Sequence, residues 1–97
     1  MPTHDEFAQF VREFTALTPA QQKQFIKAMK QIVADLRAGT GFRPSLRVKG
    51  VQGHPRIFEM TWAGNGRATF EYGPEQKPGE PHIIWRRIGG HDTLKNP

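Results

Sequence analysis

The hydrophobic rhythm of the chain changes near Gly39. Before that point apolar residues recur at helical spacing, the signature of a helix with one buried face. Phe7, Phe10, Val11, Phe14 and Leu17 fall on one such face, and Phe25, Met29, Ile32, Val33 and Leu36 on another. Each stretch carries a start signal. Thr3-His4-Asp5-Glu6 has the form of a capping box, in which a threonine side chain accepts from a backbone N–H and a glutamate reaches back. Thr18-Pro19-Ala20-Gln21 is a second such start, with proline at the first helical position, where its missing N–H is not needed. Gly39 is a natural stop. Two amphipathic helices with so short a connection predict an antiparallel hairpin over residues 3–38, with all five apolar residues of the first helix assigned to packing.

After Gly39 the period shortens to two, and glycine and proline punctuate it. Four strands are predicted: Leu46 to Lys49, Arg56 to Trp62, Arg67 to Tyr72 and His82 to Ile88. Asn65-Gly66 marks a tight hairpin turn, and strands joined by tight turns are antiparallel. Alternation groups Phe58, Met60 and Trp62 on one face of the second strand, and Ala68, Phe70 and Tyr72 on one face of the third. Helices first and a meander afterwards predict an α+β fold, a helical hairpin packed on a mainly antiparallel four-stranded sheet. The whole chain, 1–97, is expected to be one domain, with the sheet over about 45–90 and a short tail at 91–97.

Composition adds two exclusions and one direction. There is no cysteine, so disulfide, zinc-ribbon and thiol chemistry are excluded. The four histidines, at 4, 54, 82 and 91, show no helical His-x-x-x-His spacing and no accompanying carboxylate cluster, so neither a metal nor another cofactor is expected. Neither a signal peptide nor a membrane span is recognisable, which predicts a cytoplasmic protein that does not enter the membrane. Fourteen Lys and Arg against nine Asp and Glu give a net charge of +5, which favours a polyanionic partner.

The cations concentrate on the predicted sheet. Arg47, Lys49 and Arg67 share the outward alternation, whereas simple parity sends Arg86 and Arg87 to opposite faces of the last strand. Guanidinium forks and ammonium groups on such a surface can hold phosphates. Cross-strand pairing with Glu59 and Glu71 is the alternative reading of the same face. His91 follows Gly89-Gly90 just beyond Arg87, where an imidazole could move protons near neutral pH. His54 sits in a loop between basic strands. The phosphate-loop, nucleophile-elbow and dinucleotide glycine motifs are absent.

Three local motifs resemble the RelE/ParE toxin superfamily: Leu46-Arg47-Val48-Lys49-Gly50, Gly66-Arg67-Ala68-Thr69-Phe70-Glu71-Tyr72, and Arg87-Ile88-Gly89-Gly90-His91-Asp92-Thr93-Leu94. The last is similar to the Arg-x-Gly-x-His ending of YafQ-like members. The resemblance implies the toxin of a toxin–antitoxin pair, a metal-independent endoribonuclease that cuts messenger RNA at the ribosome and is neutralised by an antitoxin protein. It implies Arg67 and Arg87 as stabilisers of phosphoryl charge, His91 as proton carrier, and Arg47, Lys49 and, more loosely, His54 as RNA-binding residues. An acidic or amphipathic antitoxin segment would cover the cationic sheet face. The chain departs from the family pattern at Thr93, Leu94 and Lys95, where many members place an aromatic residue, and at Glu59, where relatives often carry a basic one. Two alternatives stay open: a ParE-like inhibitor of DNA gyrase, and a basic binding module without catalysis.

Overall fold

The computed structural model describes residues 2–97, so the first residue of the expected 1–97 domain lies outside the described residues. Strand β1 (Thr3–Glu6) leads into helix α1 (Ala8–Ala16) and then α2 (Pro19–Ala38). Strands β2 (Lys49–Val51), β3 (His54–Thr61), β4 (Arg67–Gly73) and β5 (His82–Gly89) follow, with single 3-10 turns at Pro44–Leu46 and His91–Lys95. The sheet order is β1-β5-β4-β3-β2, parallel between β1 and β5 and antiparallel elsewhere. The α+β class holds, but among the described residues the sheet has five strands rather than four, and one of them, β1, comes ahead of the helices.

The extra strand is the segment expected to cap the first helix. Thr3–Glu6 pairs with His82–Trp85 instead. The Thr3 N–H donates to the Pro81 carbonyl and the Phe7 N–H to that of Trp85. The Thr3 hydroxyl bonds Nδ1 of His82 at 2.7 Å, and Nε2 of His82 lies 3.2 Å from the Asp5 carboxylate. An open sheet edge offered these groups partners that a helix start could not match. The expected hairpin at 3–38 therefore begins at Ala8, capped by Phe7 without a side-chain hydrogen bond. The second start is as the sequence predicts. Thr18 and Gln21 form a reciprocal capping box, Pro19 opens α2, and Gly39 closes it in the left-handed region at φ 68°.

An aromatic cluster joins helices to sheet. Trp85 lies 5.8 Å from Phe10, 5.2 Å from Phe25 and 5.4 Å from Phe70 between ring centroids. Ile32, Met60, Ala68, Ile83 and Ile88 complete the buried core. The first helix contributes less than expected: Phe10 is buried, Phe14 and Leu17 pack partly, and Phe7 and Val11 are exposed.

Two local irregularities change the face assignments. Pro44 and Arg47, the latter in the left-handed region at φ 49°, turn the chain at Leu46, so the predicted strand Leu46 to Lys49 starts only at Lys49. Between β4 and β5 the register slips: Thr69 and Phe70 of β4 pair with Arg87 and Trp85 of β5 and leave Arg86 unmatched. Such a bulge re-aims side chains. Trp85 and Ile88 both enter the core, and Arg86 and Arg87 both emerge on the outer face, against the parity argument that separated them.

The β3–β4 turn is shaped by one glycine. A Cβ on Gly66 would come within 2.6 to 2.9 Å of three ring atoms of Trp62. Gly66→Ala is therefore expected to cost about 2 kcal/mol of stability by overpacking, measured by urea unfolding. An unchanged midpoint would mean that the indole can move aside.

Candidate functional site

The outer sheet face is not the free cationic platform that the alternation predicted. Glu59 and Thr69 are buried there, and the Thr69 hydroxyl donates to the main-chain oxygen of Pro97. Arg86 donates to the same oxygen at 3.1 Å, pairs with Glu71 and stacks 4.9 Å from the ring of Phe7. Arg87 pairs with Glu13 of α1, Nη2 to Oε2 at 2.6 Å, and donates through Nη1 to the carbonyl of Asn96. The Glu13 hydrogen bond raises the Arg87 pKa above its ordinary value. The same carboxylate accepts from the backbone N–H of Ile88 at 3.3 Å, at a point of β5 beyond the reach of β1. Both arginines are thus satisfied by carboxylates and by the tail.

Three cations without a carboxylate partner lie together elsewhere. A cleft of about 580 Å³ opens where α2, the Pro44–Leu46 turn and the β3–β4 turn meet. Lys27, Arg47 and Arg67 line it, together with the polar side chains of Gln24, Gln31, Ser45 and Thr61. No acidic side chain among the described residues lines it. None of the three cations has a carboxylate partner among the described residues, in contrast to Arg86 and Arg87. Arg67 is held by its own turn, donating from Nη1 to the carbonyls of Gly64 at 3.2 Å and Gly66 at 3.0 Å, which leaves the rest of its fork unspent. Three positive charges in a concave, acid-free site favour an anion with spaced charges, such as a phosphodiester chain.

The predicted site residues divide by position. Arg67 pairs with Gly89 and Thr69 with Arg87, so Arg67 and Arg87 are diagonal neighbours on adjacent strands, a relation that typically puts positions about 7–8 Å apart. His91 opens the turn that follows β5 at this same end of the sheet; it is exposed, and its ring has no hydrogen-bond partner among the described residues. Gly89 and Gly90 line a second hollow that shares Gln24, Trp62 and Ala63 with the cleft. Arg47 enters the cleft from a left-handed turn rather than a strand. Lys49 is exposed at the start of β2, opposite Glu59. His54 starts β3 at the opposite end from Thr61 and Arg67, in a strand of 8 residues, and does not join the cleft. Lys27 was missed, because its sequence context is that of a solvated helix face.

Comparison with known proteins gives the class of fold first: it is the fold of the RelE and YafQ toxins. The RelB–RelE antitoxin–toxin complex from Methanococcus jannaschii matches with a TM-score of 0.61 at 16% identity, over 95% of this chain and 95% of that one. The Escherichia coli DinJ–YafQ toxin–antitoxin complex matches with a TM-score of 0.63 at 12% identity, over 96% of each chain. A YoeB/ParE toxin from Agrobacterium tumefaciens matches with a TM-score of 0.63 at 6% identity, over 92% of this chain and 98% of that one. No protein-family model matches the sequence, and no curated protein does. No helix among the described residues is long and apolar enough to cross a membrane.

Proposed function

We propose that this chain is the toxin of a toxin–antitoxin pair, an endoribonuclease that cuts messenger RNA at the ribosome without a metal. The observation that carries this reading is the acid-free cleft with three unpaired cations, built beside the end of β5 on a fold shared with RelE and YafQ. Arg47 and Arg67 hold phosphates there, and Lys49 and His54 extend the track along the β2–β3 ribbon. The 2′-hydroxyl oxygen of one nucleotide attacks the adjacent phosphorus, and the bond from phosphorus to the 5′-oxygen breaks. The hydroxyl proton leaves to a base, and the departing 5′-oxygen takes one from an acid. His91 serves as a proton carrier, and Arg67 with Arg87 stabilises the charge gathered on the phosphoryl oxygens. Arg87 acts from a fixed position, since Glu13 holds it. An antitoxin would silence the chain by laying an acidic segment into the cleft, against its three free cations, rather than across the sheet face.

Incubating the purified chain with a messenger, with and without translating ribosomes, tests this. Upstream fragments should end in a 2′,3′-cyclic phosphate and downstream ones begin with a 5′-hydroxyl, in codon register only when ribosomes are present. No new ends with either substrate, while expression still arrests growth, would overturn it in favour of a ParE-like inhibitor of DNA gyrase.

A further inference from the structure

We infer that α2 forms the second wall of the RNA cleft, with Lys27 as a phosphate contact and Gln24 and Gln31 as the amides that meet the bases. This rests on reading the cleft as an RNA site. Positions 24, 27, 28 and 31 are spaced so that they share one side of a helix, and all four line the cleft. Ala28 among them is buried and small, which keeps the wall recessed between the longer side chains. Lys27 faces across to Arg47 and Arg67 without a carboxylate to neutralise it. Ammonium groups bind phosphate as point charges and tolerate any sequence. Glutamine amides carry both donors and acceptors, as base edges do. A cleft of about 580 Å³ falls in the size range of ligand sites.

The helix supplies its own controls. Lys23 and Lys30 line a shallow hollow on the solvent side of α2 together with Lys27, but only Lys27 reaches the cleft as well. The three lysines differ little in chemistry and sit on one helix, so position alone separates them.

The experiment is fluorescence anisotropy with a short single-stranded RNA made uncleavable by 2′-O-methyl groups. It compares the full chain with Lys27→Gln, Lys23→Gln and Arg67→Gln across a salt series. Lys27→Gln is expected to weaken binding about tenfold at low salt and to lower the slope of log affinity against log salt by about 0.7. Lys23→Gln should change neither. Gln24→Ala/Gln31→Ala should leave the salt slope in place and narrow the affinity difference between RNAs of different base composition. Lys27→Gln behaving like Lys23→Gln while Arg67→Gln loses affinity would overturn the second wall and leave the proposed function standing. Wild type failing to bind, or Arg67→Gln binding as wild type does, would instead sink the reading beneath it. Thermal melts of each variant check folding; all the lysines concerned are exposed.

Discussion

His91→Ala is expected to slow cleavage of a susceptible RNA by about 10²–10⁴-fold, the range associated with one positioned proton carrier. Single-turnover rates at saturating protein measure it, with and without added imidazole. Partial recovery in imidazole would identify the missing function as proton transfer rather than shape. The ring is exposed and holds nothing else in place among the described residues, so the variant should unfold at the wild-type temperature. A rate equal to wild type would remove His91 from the chemistry, whatever the fold implies.

The largest stability effect is expected from Glu13→Ala, at about 3 kcal/mol by urea unfolding. One carboxylate accepts from Arg87 and from the Ile88 N–H, and it ties α1 to the part of β5 that β1 does not cover. Its loss leaves a partly buried guanidinium without a counter-charge and a backbone donor without an acceptor. Glu13→Ala combined with Arg87→Ala should recover part of the loss, since removing both partners leaves less uncompensated. Additive losses would show that the two side chains stabilise independently. If Arg87 also takes part in cleavage, Glu13→Ala should lower the rate even where the protein is fully folded, through a misplaced Arg87.

Local chemistry was legible in the sequence wherever the deciding partners are close along the chain. Thr18, Pro19, Gln21 and Gly39 bound α2 as their side chains dictate, because capping needs only neighbours within a turn. Thr3–Glu6 carried the same kind of signal and became a strand, because its deciding partner, His82–Trp85, lies far along the chain. Parity misplaced Arg86 and Arg87 for a related reason: a bulge is set by how Trp85 and Ile88 both reach the core, which alternation along one strand cannot register. At the site, residue type pointed to Arg47 and Arg67. Nothing local said that Glu13 would hold Arg87, that His54 would start at the far end of β3, or that Lys27 would face the cleft. Each of those depends on how helix and sheet are set against each other.

The pairing of β1 with β5 also bears on how such a chain is made. The contacts that seat Thr3 bridge 79 positions to His82, and α1 waits on Arg87 and Ile88 in the same way. Contacts this distant form slowly and only once both segments exist. During synthesis the opening strand has no neighbour until residues 82–85 have emerged, while α2 and the β2–β3–β4 meander can already fold from local contacts.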